Sequence, residues 1–155
     1  MSTYRKSLGA AFAIALAAGT VSVVAPTASA ATDGSNVVIN EVYGGGGNSR
    51  SVFSNDFVEL YNPTDKDIDI TGWVLDQQSA AGNSGSKTTL SGIVPAGGYY
   101  LIQGQAGGNA TKDLPAPDAT NDNMTFGAKS AIAVLLNGDC LLYTSPSPRD
   151  KRQSR

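Results

Sequence analysis

The chain has 155 residues, the length of one domain with a leader or tail to spare. It contains no histidine, which excludes a Ser-His-Asp triad and a typical zinc site. Between Ala31 and Asp139 five Lys and Arg stand against twelve Asp and Glu, a net charge of −7 that works against a basic nucleic-acid-binding stripe.

In chain order, residues 1–30 read as a secretion signal. Arg5 and Lys6 form the positive start, and Leu8 to Val24 is an uncharged run of apolar and small residues. Ala28-Ser29-Ala30 supplies the small-residue cleavage site, placing the cut between Ala30 and Ala31. The run is too rich in Ala and Gly for a membrane anchor, which needs about 20 strongly apolar residues. The expectation is a secreted, extracellular chain that leaves the membrane after signal removal.

Residues 31–36 are a short linker, and from Val37 the texture is that of strands and turns. Asn36 to Tyr43 is rich in β-branched residues and reads as a strand, followed by the four glycines Gly44 to Gly47. Asp56 to Asn62 alternates, with Phe57, Glu59 and Tyr61 on one face and Val58 and Leu60 on the other. Pro63 to Lys66 is a turn. Asp67 to Ile70 alternates again and turns Ile68 and Ile70 inward. Trp73 to Asp76 is a strand carrying the only tryptophan. Gln77 to Ser86 is expected as a loop, as is Gly104 to Asn123. Short strands are expected at Lys87–Leu90, Ile93–Val94 and Tyr99–Gln103. Ala131 to Leu136 is the last strand, ending at the hairpin dipeptide Asn137-Gly138 with no partner expected beyond it.

The composition changes at Cys140. Cys140 to Ser145 is what the transposon-end adapter codons TGT CTC TTA TAC ACA TCT encode, and Pro146 to Asp150 follows from CCG AGC CCA CGA GAC. Residues 140–155 are therefore read as adapter-derived and set aside from the fold, and the domain is expected to be cut at Asp139. Cys140, the only cysteine, then says nothing about redox compartment.

About six or seven short strands with turns roughly every 8–12 residues indicate an all-β sandwich or barrel. The expected core is Trp73 with Ile39, Leu60, Ile70, Leu101 and Val134. Four segments in order carry a resemblance: Ile39-Asn40-Glu41-Val42, Asp56 to Asn62, Thr71 to Asp76, and Val94 to Tyr99. Together they resemble the lamin tail domain family, in its bacterial exported form. The resemblance implies an immunoglobulin-like β-sandwich over residues 37–139, incomplete at its C-terminus. It also implies an exported, non-catalytic binding or accessory module. The alternative is the N-terminal accessory domain of an extracellular metal-dependent endonuclease or phosphatase whose catalytic domain lies further on. The partner would be a protein, a cell-surface component or the nucleic-acid substrate of such a domain.

No catalytic residue and no cofactor is expected between Ala31 and Asp139. Gly44 to Gly47 lacks the Lys-Ser/Thr and the helix of a phosphate-binding loop and is expected to be flexible. Glu41, Asp56 and Glu59 are the foremost calcium candidates, ahead of Asp65, Asp67 and Asp69 and of Asp118, Asn121 and Asp122. None of the sets has EF-hand spacing, so each is read first as a solvated acidic surface. The resemblance places Glu41 and Glu59 side by side on neighbouring strands, hydrogen-bonded to a backbone or loop partner. Tyr43, Tyr61, Tyr99 and Tyr100 read first as half-buried sheet positions, with a binding face as the alternative.

Overall fold

The computed structural model describes residues 34–109, 112–138 and 140–144. The signal, its Ala30–Ala31 cleavage site and the last eleven residues lie outside the described residues. Ten strands follow one another: β1 Val38–Tyr43, β2 Asn55–Tyr61, β3 Ile68–Asp69, β4 Val74–Gln78, β5 Ser84–Thr89, β6 Ile93–Val94, β7 Tyr99–Ala106, β8 Ala119–Thr120, β9 Ile132–Asn137 and β10 Cys140–Thr144.

They form two four-stranded sheets, ordered β1-β2-β7-β8 and β10-β9-β4-β5, with a small β3-β6 pair beside them. Among the described residues the strand pairings are antiparallel except β7 with β8, and an isolated bridge of Phe53 with Lys112 is parallel too. Side chains from both sheets meet in one core. Ile39, Val58, Leu60, Tyr100 and Ile102 come from the first sheet, and Leu75, Ala133 and Leu135 from the second. Trp73, Ile70, Leu90 and Val94 fill it from the small pair and the connections. This is the immunoglobulin-like sandwich that the resemblance implied, where the strand pattern alone left sandwich and barrel open; two half-apolar sheets bury their inner faces against each other.

The structure corrects four expectations. Leu101 is half-buried on the outer face, while Tyr100 and Ile102 point inward. The run Tyr-Tyr-Leu-Ile is apolar throughout and carries no phase; pairing of Tyr100 with Leu60 and Ile102 with Val58 sets it. Val134 is buried but lies outside the core cluster, paired with Asp76, while its neighbours Ala133 and Leu135 enter the core. Parts of both expected polar loops are strand: β5 begins at Ser84, and β8 sits within Gly104–Asn123. Finally, β9 has a neighbour on each side, β4 and β10. The Asn137-Gly138 turn closes on Cys140–Thr144, the residues whose codons match the adapter. Ladder bonds are main-chain bonds, so a short β-prone run after such a turn completes the pairing whatever its origin.

β1 and β2 pair with one irregularity. Ile39 faces Leu60, but Glu41, not Asn40, faces Glu59. Asn40 is the extra residue of a β-bulge. It leaves Ile39 pointing inward, then puts Val42 opposite Val58 and leaves Glu41 and Tyr43 facing outward. This one residue sets the chemistry of the outer face.

Candidate functional site

The glycine loop after β1 is tightly built. Gly45 donates to the Phe126 carbonyl (3.0 Å) and Gly47 to the Phe53 carbonyl (2.8 Å). The Gly46 amide donates to Oδ1 of Asp56 at 2.6 Å, and the Phe126 amide donates to Oδ2 of the same carboxylate at 2.6 Å. Asp56 is only 3% exposed. A buried carboxylate is tolerable because charge-assisted bonds to backbone N–H groups replace its hydration. The loop needs glycine for closeness as well as for φ. A Cβ on Gly46 would sit 2.1 Å from the Asn55 carbonyl carbon, and one on Gly47 would sit 2.3 Å from Gly107. The expected flexible loop is thus a packed and hydrogen-bonded one.

A cleft of about 260 Å³ opens beside this loop, walled by Gly45, Gly46, Asp56, Gln105 and Phe126 among others. It is not a phosphate cradle. The amides of Gly45, Gly46 and Gly47 are all engaged within the protein, leaving no convergent N–H array for an anion.

The second candidate is the outer face of β1, β2 and β7, where the register lays three rows side by side. Tyr43 faces Phe57, which faces Gln103; Glu41 faces Glu59, which faces Leu101; Tyr61 faces Tyr99. Tyr43 and Phe57 stack at 5.2 Å, with Phe53 edge-on to both. Tyr61 and Tyr99 lie 4.8 Å apart. Lys112 covers the Phe53 end of the aromatic cluster, 5.5 Å from the ring centre. Tyr99, at the other end, is 57% exposed. Glu59 accepts a 2.6 Å bond from Asn40, so its partner is the bulge side chain rather than a backbone or loop group.

The expected residue sets separate in space. Asp56 lies on the inner side of β2, opposite to Glu41 and Glu59, and both its oxygens are engaged, so the three do not form one cation site. Asp67 accepts the Ala96 amide, Asp69 the Thr71 amide and Asp118 the Leu101 amide. Asn121 donates to Ser86 and Thr88, fastening its turn to β5. Among the described residues no three His, Cys, Asp or Glu converge as metal ligands. Of the tyrosines, Tyr43, Tyr61 and Tyr99 share the outer face. Tyr100 points into the core and donates its hydroxyl to the Ser91 carbonyl at 2.9 Å. Burial pushes its phenol above the ordinary value, with the Ser91 bond opposing and the Asp118 charge adding.

Among the buried polar residues outside the expected sets, Asn62 is the most fully enclosed. Asn62 is completely buried, and its amide nitrogen donates to the carbonyls of Lys66, Val94 and Pro95 at 2.7, 2.9 and 3.1 Å. Its oxygen accepts from the Thr64 amide and hydroxyl. Its signal was present: an Asn ending a strand before Pro is a turn former.

With the two sheets, the Phe-Val-Glu-Leu-Tyr-Asn strand and the Trp73 core in place, the comparison with known families is decisive. Residues 30–143 match the Lamin Tail Domain family, well over half of the chain. The chain belongs to the lamin tail domain family. No curated protein matches it. The match spans all ten strands of the lamin tail domain up to Tyr143.

Proposed function

We propose that this lamin tail domain is an exported, non-catalytic binding or accessory module whose contact surface is the outer face of β1, β2 and β7. The carrying observation is the exposed Tyr99, its ring packed at a tilt beside Tyr61 and next to the half-exposed Leu101, on a face the core does not use. Tyrosine combines a large apolar ring with a polar tip and is favoured at such surfaces. The buried carboxylates support the same reading. Asp56 holds backbone amides, and Asp76 is bonded by Ser84 and Gln78, so both serve the fold rather than a reaction. Export rests on the signal-type residues 1–30.

The test is incubation of the purified chain with DNA, RNA and a chromogenic phosphate ester in Mg²⁺, Mn²⁺ or Ca²⁺. No turnover above buffer is expected; turnover that co-purifies with the chain overturns the reading. Export is tested by the N-terminus of the protein recovered outside the cells, expected at Ala31. The adapter origin of residues 140–155 is tested by genomic sequence read past the Asp139 codon.

A further inference from the structure

We infer that the outer face of β1, β2 and β7 docks a basic polypeptide segment, seating an arginine or lysine side chain against Glu41, Glu59 and Tyr99. The inference rests on the binding-module reading above and names the partner's chemistry.

Glu41 and Glu59 stand directly opposite each other across the β1–β2 ladder. Like charges in that relation destabilise a sheet, and a cation placed between them removes the penalty. The pair is flanked by rings on both sides, Tyr43 and Phe57 in one neighbouring row and Tyr61 and Tyr99 in the other. Aromatic faces attract guanidinium and ammonium groups, and carboxylates supply the matching hydrogen-bond acceptors. Lys112 over Phe53 already shows this contact at one end of the face. Tyr99, at the other end, presents its ring to solvent.

The charge of the domain selects among occupants. A net −7 over Ala31–Asp139 steers cationic partners inward and turns away nucleic acid and anionic surfaces. A second copy set face to face would bring four carboxylates together. A basic segment of another protein satisfies both the rings and the carboxylates.

The experiment uses the full chain and a fluorescein-labelled hexa-arginine peptide, followed by anisotropy. Saturable binding that weakens as salt is raised is expected. Glu41→Gln and Tyr99→Ala are each expected to weaken it about tenfold, and Asp122→Asn, in the turn after β8, less than twofold. Leu101→Lys, which sets a competing cation beside Glu59 without emptying the face, is expected to abolish it. Circular dichroism of each variant establishes that the fold is kept. Absence of saturable binding overturns the proposal. So does equal weakening by Asp122→Asn, which reduces the effect to net charge, or equal binding of hexa-glutamate. Dimerisation abolished by Tyr99→Ala also overturns it, in favour of a second copy. Failure here with no hydrolysis leaves the non-catalytic reading standing, whereas hydrolysis sinks that reading whatever the peptide does.

Discussion

Asp56 and Phe126, seventy positions apart, are joined by a 2.6 Å bond from the Phe126 amide to the Asp56 carboxylate. The second oxygen of the same group takes the Gly46 amide. One buried side chain therefore fixes the glycine loop to the segment before β9. Asp56→Asn turns one acceptor into a donor facing an N–H, and is expected to cost about 2–4 kcal/mol. The urea midpoint of the variant checks this; an unchanged midpoint would show the carboxylate to be dispensable.

Two glycine substitutions separate crowding from backbone conformation. Gly46→Ala must move the Asn55 backbone out of the way, and is expected to unfold the domain or lower its melting temperature severely. Gly72 has φ +83° with nothing within 4 Å of an added Cβ. Gly72→Ala is expected to cost only about 1 kcal/mol, the penalty of a left-handed alanine. Similar melting temperatures for the two variants would contradict the packing described for the loop.

Asn62 is irreplaceable by its isostere. Its amide nitrogen serves three carbonyls, so Asn62→Asp points a carboxylate at three acceptors in a fully buried site. Asp is expected to be more disruptive than Ala at this position, because a buried unpaired charge exceeds the loss of bonds. Denaturation of the two variants side by side decides the order.

Donation from the hydroxyl and then the amide of Thr71 holds the Asp69 carboxyl below its ordinary 3.8. A folded-state value lower than the unfolded one gives stability that is present above the unfolded value. It is lost as pH falls through the folded value. Asp69→Asn is expected to flatten the acid limb of the stability curve by lowering stability slightly at neutral pH, where the bonded carboxylate contributes, and to leave stability below the folded value nearly untouched. Carboxyl NMR titration should place the Asp69 midpoint below 3.8.

Much of this is legible in the sequence. The alternation of Asp56–Tyr61 puts Val58 on the same face as Leu60, an expected core residue, and both are buried, as are the expected Trp73 and Ile70. The misplaced residues share a cause. Tyr99 to Ile102 carries no alternation, so its phase comes from the partner strand. β5 is a polar strand, Ser-Gly-Ser-Lys-Thr-Thr, whose pattern is that of a loop; pairing with β4 makes it a strand. The site followed the same division. Glu41 and Glu59 were rightly neighbours, but Asp56 was separated from them by the two-residue period of β2, and the partners of Asn62 come from up to 33 positions away.

The bulge at Asn40 gives β1 a property akin to a reading frame. Deleting one residue from a paired strand normally inverts every position beyond it. Here Glu41, Val42 and Tyr43 are already aligned with Glu59, Val58 and Phe57, as if Asn40 were not counted. Removal of Asn40 alone would preserve the phase of the strand, withdrawing only the local twist and the bond to Glu59. Loss of Glu41 in its place would leave the strand equally in phase but set Asn40 in its position, exchanging one carboxylate of the outer face for an amide. The strand thus carries, in one surplus residue, a spare position through which its outward chemistry could change while its core stays still.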